Sequence, residues 1–109
     1  MRGPVRRGDI IIAAFRNARG TEIRKRRPYV VISPNELNEV SSTYLLAPMT
    51  TGHHPYRYRI PCRFAGREGH VVLDQIQSAH VSRTSKPVGK LGPAGLRVVL
   101  AQLRQMFEE

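Results

Sequence analysis

At 109 residues the chain has room for one domain with a single modest core, and too little for two. Its 18 Lys and Arg against 8 Asp and Glu give a formal charge of +10, which points to a polyanionic partner. Nucleic acid is the first candidate. An anionic membrane is disfavoured, because no apolar run approaches ~20 residues and no basic amphipathic helix stands out. The single cysteine, Cys62, excludes an intramolecular disulfide and fits a reducing, cytoplasmic compartment.

The opening "MRGPVRRGDIIIAAFR" has the basic-then-apolar order of a signal peptide, but residues 10–15 are too short for one and are closed by Arg16. They read as a first strand. Residues 17–20 are polar and end in Gly20, a turn signal. Four consecutive cations follow, Arg24, Lys25, Arg26 and Arg27, set directly against the apolar run Tyr29-Val30-Val31-Ile32. Like charges crowded at one spot repel, so the fold gains little from them. Because Pro28 fixes the backbone after Arg27 and the run anchors what comes next, at least the last cation is held in place.

The second strand is predicted at 29–33, stopped by Pro34, and a connector over 35–42 leads to a third strand at 43–47. Residues 48–55, "PMTTGHHP", read as a loop bracketed by prolines. "YRYRI" then alternates, with Tyr56, Tyr58 and Ile60 on one face and Arg57 and Arg59 on a basic outer face. "GREG", 66–69, is a predicted turn, 70–79 a fifth strand and 85–93 a loop. Finally Leu96, Val99, Leu100, Leu103, Met106 and Phe107 form one stripe of an amphipathic helix, with Pro93 suited to its first turn. Five short strands and a closing helix predict a mostly β fold. The expected architecture is a small, strongly bent sheet or barrel with a C-terminal α-helix, one domain over 1–109.

Candidate sites narrow quickly. His53, His54, His70, His80 and Cys62 show no paired zinc-type spacing, so no metal or other cofactor is expected. There is no Gly-rich phosphate loop and no GxSxG. What remains is Glu22, the cation run ending at Arg27, and the hydroxyl pair Thr50-Thr51. If the second and third strands are neighbours, their ends bring Arg27 and Thr50 to one mouth. A guanidinium fork and a hydroxyl converging there suit a phosphodiester.

"RGDIIIAAF", "GTEIRKRRPYVVISP", Asn38, "LLAPMTT" and "VVLDQIQS" stand in the order and rough spacing of the MazF/PemK (growth inhibitor) family of toxin endoribonucleases, which the chain resembles from Arg7 to Arg83. The resemblance implies an SH3-like bent barrel, also like that of CcdB, acting as a homodimer. It implies metal-independent cutting of single-stranded RNA and silencing by an acidic, MazE-like antitoxin in a type II toxin–antitoxin pair. Arg27 and Thr50 stand on the family's catalytic arginine and threonine, Glu22 on the acid after the Gly20 turn, and Asp74 and Gln75 on an Asp-Gln pair of the RNA groove. Thr21, Arg24, Lys25, Arg26, Thr51 and Arg57 are expected to contact RNA alongside them. The chain departs from some relatives in carrying Thr21 and Leu73 where those have histidine and arginine, and "IRKR" replaces a gentler loop.

RNA carries its own nucleophile, so attack by the 2′-hydroxyl gives a 2′,3′-cyclic phosphate and a 5′-hydroxyl. Arg27 is cast as stabiliser of charge on the phosphoryl oxygens and Thr50 as a donor to the same oxygens. Two roles stay open for Glu22: general base, or a salt bridge that orients Arg27. Two other functions also stay open. One is a CcdB-type topoisomerase poison, for which Phe107 near the end of the chain is the pertinent feature. The other is a non-catalytic RNA-binding barrel, which explains the charge but not the ordered set of Glu22, Arg27 and Thr50.

Overall fold

The structure is a computed structural model, and it describes residues 5–15, 26–51 and 58–109. Seven strands and two α-helices run through these segments. In chain order they are β1 (Asp9–Ala13), β2 (Arg27–Val31), α1 (Asn35–Val40), β3 (Thr43–Thr51), β4 (Arg59–Phe64), β5 (Arg67–Val72), β6 (Gln77–His80), β7 (Gly89–Lys90) and α2 (Pro93–Met106). Neighbouring strands follow the order β4-β5-β3-β2-β1-β7, and β6 pairs separately with β3. The sheet curls into a half-barrel with α2 against it, so the expected mostly β fold with a C-terminal helix is met.

Alternation along the central strands sends side chains to two apolar clusters. Ile10, Val30, Ile32, Ala47, Met49, Ile60, Val71, Leu73 and Val99 form the first, where α2 docks. Ile11, Ala13, Tyr29, Val31, Tyr44 and Leu46 belong to the second, on the opposite face. Pro93 opens α2 at its first turn, as predicted. Of the predicted helical stripe only Val99 is fully buried, while Phe107 lies just past the helix and is 76% exposed. Gly8, at φ +95°, turns the chain into β1. A side chain there would also press on Leu96 of α2, whose Cδ2 lies 3.1 Å from the Cβ position.

Several predicted boundaries are corrected. The third strand does not stop at Ala47 but runs to Thr51, so Pro48, Met49, Thr50 and Thr51 lie in a strand and not a loop. The reason is local to Pro48. Ile32 N–H bonds Leu45 O, so with alternate pairing the nitrogen of Pro48 faces away from β2. On that side β3 pairs β6 through Leu46 and β5 from Met49, which leaves a gap at Pro48 where no donor is needed.

The stretch 70–79 is not one strand. It breaks at a 3-10 turn, Leu73–Gln75, and the register against β3 slips by three residues between β5 and β6. The strand expected over "YRYRI" begins at Arg59 and continues to Phe64; Tyr56 and Arg57 lie outside the described residues. The turn expected at 66–69 is tighter. Ala65 (φ 54°) and Gly66 (φ 78°) alone join Phe64 to its partner Arg67, the two left-handed residues of a type I′ hairpin. Within the predicted loop 85–93, Ser85 and Val88 bond the edge of β1 and Gly89–Lys90 pair with it as β7.

Candidate active site

Proline at position 28 creates the site. β2 and β3 pair at Val31/Leu46, Val30/Ala47 and Tyr29/Pro48. The next hydrogen-bonding position would need an N–H from residue 28, which proline lacks, and the ladder ends there. Beyond it β2 stays with β1, through Ala13/Arg27, while β3 swings to β5, through Met49/Val71, Thr50/His70 and Thr51/Gly69. The diverging strands open a cleft of about 440 Å³. Continuing the β2–β3 register two steps sets Arg27 across from Thr50.

Both residues line this cleft, together with Arg26 and Thr51. The sequence-based expectation that the second and third strands bring Arg27 and Thr50 to one mouth is therefore met in geometry. Arg26 and Arg27 are exposed. The Thr50 hydroxyl is the contrasting feature: Oγ1 is buried and has no hydrogen-bond partner among the described residues. A buried hydroxyl without a partner is unfavourable by about 1–3 kcal/mol, and this one belongs to a residue that lines the same cleft as Arg26 and Arg27.

The far wall is the β4–β5 hairpin, which sequence reading did not assign to any site. Cys62, Phe64, Ala65, Arg67, Glu68 and Gly69 contribute to the lining of the cleft, with Glu68 paired to Arg63 on the other face of the hairpin. Burial raises the Cys62 thiol pKa above its ordinary value, so the thiol stays protonated at neutral pH. Gly69 lets β5 close on β3, because a Cβ there would stand 1.9 Å from the carbonyl oxygen of Thr50. The hairpin itself was signalled in the sequence by the continued alternation Ile60, Cys62, Phe64 before an Ala-Gly turn, but its place against the cleft was not.

Other expected contacts are placed elsewhere. Asp74 and Gln75 sit exposed on the 3-10 corner after β5 and do not line the cleft. Leu73 N–H bonds Tyr58 O, which folds that corner over the start of β4 and brings Asp74 Oδ1 to 3.6 Å from Arg59 Nε. Arg59, expected on a basic outer face, is therefore a largely covered side chain (16% exposed) with an acidic neighbour. Thr21, Glu22, Arg24, Lys25 and Arg57 lie outside the described residues, as do His53 and His54. Among the described residues no three His, Cys, Asp or Glu side chains gather closely enough to hold a metal ion. No helix among them is long and apolar enough to cross a membrane.

Known proteins match this arrangement over nearly the whole chain. The Escherichia coli endoribonuclease toxin MazF is 30% identical over 101 residues, covering 92% of this chain and 91% of that protein. Among solved structures, a MazE–MazF structure (form II) from Deinococcus radiodurans superposes with a TM-score of 0.79 at 23% identity, over 95% of this chain and 96% of its own. The Mycobacterium tuberculosis toxin MazF-mt6 gives 0.76 at 18%, over 91% and 95%. At those identities the structural likeness is one of fold. The sequence model of the PemK-like, MazF-like toxins of type II toxin–antitoxin systems matches residues 6–107, and the chain belongs to that family.

Proposed function

We propose that the chain is an endoribonuclease toxin that cuts single-stranded RNA in the cleft between β2, β3 and the β4–β5 hairpin. The observation that carries this reading is the buried Thr50 hydroxyl, without a partner among the described residues, in a cleft that Arg26 and Arg27 also line. A phosphate supplies the missing acceptor. In the reaction the 2′-oxygen forms a bond to phosphorus as the bond from phosphorus to the 5′-oxygen breaks. The 2′-proton passes to a base and the 5′-oxygen gains one, leaving a 2′,3′-cyclic phosphate and a 5′-hydroxyl. Arg27 spreads two donors over the non-bridging oxygens, and Thr50 donates to the same group. Glu22 acts either as the base or as a partner that aims Arg27. Thr21, Arg24, Lys25, Thr51 and Arg57 contact the strand near the cut, and Asp74 and Gln75 contact it away from the cleft. The net charge adds sequence-independent attraction to the phosphate backbone.

The same features suit a partner that holds the toxin in check. An extended, acidic, MazE-like antitoxin is a flexible polyanion and competes with RNA for Arg26, Arg27 and Arg67. The toxin works in the cytoplasm as a homodimer, with exposed apolar side chains such as Leu45 and Val98 available for contact between copies. A topoisomerase poison gives no reason for Arg27 and Thr50 to share one cleft, and a passive RNA-binding barrel accounts for the charge but not for the ordered set of Glu22, Arg27 and Thr50.

The test is incubation of a single-stranded RNA with the protein in excess chelator, with a DNA of the same sequence as control. Discrete RNA fragments with 5′-hydroxyl ends and intact DNA are expected. Arg27→Ala and Thr50→Ala should each lower cutting by about 10²-fold or more, and Arg27→Lys should recover little, since a point charge does not reproduce a bidentate fork. Wild-type cutting by Arg27→Ala would remove the assignment.

A further inference from the structure

His70, on β5, is a buried polar side chain, only 7% exposed, and it does not line the cleft. It is the direct cross-strand partner of Thr50, and direct partners in an antiparallel pair turn their side chains to the same face. The continued β2–β3 register sets Arg27 on the other side of Thr50, so Arg27, Thr50 and His70 stand on one rung across three strands. Resting on the RNA-cutting reading above, we propose that His70 is a positioning residue that acts through Thr50. Its Nδ1–H donates to the Thr50 hydroxyl oxygen, which turns the single hydroxyl proton toward the phosphate.

Three observations carry the assignment. First, the two side chains are within reach. Cβ atoms of direct partners lie about 4.5–5.5 Å apart, a gap that an imidazole on one and a hydroxyl on the other bridge with one hydrogen bond. Gly69, next to His70, lets β5 close on β3 at this same place. Second, both atoms are already out of water, since Thr50 Oγ1 and His70 Nδ1 are each buried. The Thr50 hydroxyl has no partner among the described residues, so nothing there aims it. An unaimed threonine hydroxyl can turn its one proton to a nearby backbone carbonyl instead of a phosphate.

Third, the surroundings of the ring on this face suit a bond toward Thr50. Pro61, across on β4, and Val72, next along β5, present no polar side chain. Glu68, two residues before His70, is engaged by Arg63 at 3.2 Å. A buried polar ring is unfavourable unless it is hydrogen-bonded, and a valine like the buried Val72 would fill the place without that penalty. Neutral imidazole carries one N–H and can place it on Nδ1. Thr50 and His70 are neighbours without yet being bonded, and contacts of this kind tighten in the substrate complex. Donation of the hydroxyl proton to an anionic phosphate makes the oxygen a better acceptor, which draws the imidazole N–H onto it.

Single-turnover cutting is measured for His70→Val and His70→Asn, each in the parent and in Thr50→Ala. Valine removes the donor and is expected to slow cutting by about three- to tenfold. Asparagine sets an amide N–H where Nδ1 stood and should recover most of that rate. In Thr50→Ala, His70→Val should change the rate by less than about twofold, whereas a merely structural role would slow both backgrounds alike. A second readout needs no turnover and no change at position 70. The imidazole nitrogen NMR signal of His70 is followed as an all-deoxy oligonucleotide, which has no 2′-hydroxyl to react, is added to saturation. It should shift in the parent and stay in place in Thr50→Ala. Parental cutting by His70→Val, no recovery by His70→Asn, equal slowing in both backgrounds, or a ring signal indifferent to Thr50 each overturns the role of His70 and leaves RNA cutting in place. A parent that cuts no RNA overturns the endoribonuclease reading, and the ring signal alone then decides whether His70 follows Thr50.

Discussion

Gly69→Ala is the substitution whose effect is most directly fixed by geometry. The added Cβ would sit 1.9 Å from Thr50 O, 2.9 Å from Thr50 C and 3.2 Å from Thr51 Cα. All three are backbone atoms, so no rotamer change relieves them. The strands must part by about 1.5 Å before the oxygen contact becomes an ordinary one of 3.4 Å or more, and the β3–β5 ladder, three residue pairs long, weakens at this end. Overpacking of this kind is destabilising by about 1–3 kcal/mol, which for a chain of this size lowers the melting temperature by roughly 4–15 °C. The larger effect is on function. Thr50 moves with its strand, and a displacement of about 1 Å at a reacting group lowers rate by about 10²-fold. Gly92→Ala is the control, since nothing lies within 4 Å of its Cβ position. Melting curves and initial rates on one RNA substrate decide the matter. If Gly69→Ala melts and cuts like the parent, the close approach of β5 does not position Thr50.

Asn38 is a residue of stability rather than cleavage. It is buried in α1, where Oδ1 accepts from Ser33 Oγ and Nδ2 donates to Ser33 O, while Ser33 Oγ accepts from Leu45 N–H. Asn38→Ala should lose about 1–3 kcal/mol in denaturant titration, with kcat unchanged below the new melting point. Ala65→Asn should raise stability by about 0.5–1 kcal/mol in the same assay, because asparagine accepts the left-handed conformation that alanine resists. For Cys62 the sign follows from its raised pKa. Its burial favours the fold below the unfolded thiol pKa of about 8.5 and ceases to do so as pH rises through the higher folded value. The parent should therefore lose more stability than Cys62→Ser between pH 8 and strongly alkaline conditions, and parallel melting profiles would contradict the raised pKa.

Much of the fold was legible where side-chain periodicity alone decides it. The apolar runs at β1 and β2 and the 3.6-residue stripe of α2 were each placed within about two residues. The errors share a physical origin: a local signal whose meaning depended on a distant strand. Pro48 reads as a terminator in isolation, yet its missing N–H faces a gap that exists only because β5 and β6 dock on β3 in two registers. Leu73, Asp74 and Gln75 carry no turn signature, and the corner they make is imposed by those same two registers.

The site divides along the same line. Arg27 and Thr50 could be brought together from sequence because one antiparallel register relates them, and Pro28 both ends that register and is visible in the chain. The opposite wall could not, since nothing in "CRFAGREG" states that its hairpin curls across β3 until Phe64 meets Gly89. The consequence is chemical. The legible half holds Arg27 and Thr50, the groups proposed to act on the phosphodiester, whereas the other half is a wall whose place against them is fixed only by tertiary contact. Exchange of the hairpin 62–69 between two relatives should therefore alter RNA affinity through the wall it forms while leaving the register of Arg27 and Thr50 in place, and unchanged affinity in the exchanged chain would show that the hairpin does not touch the RNA.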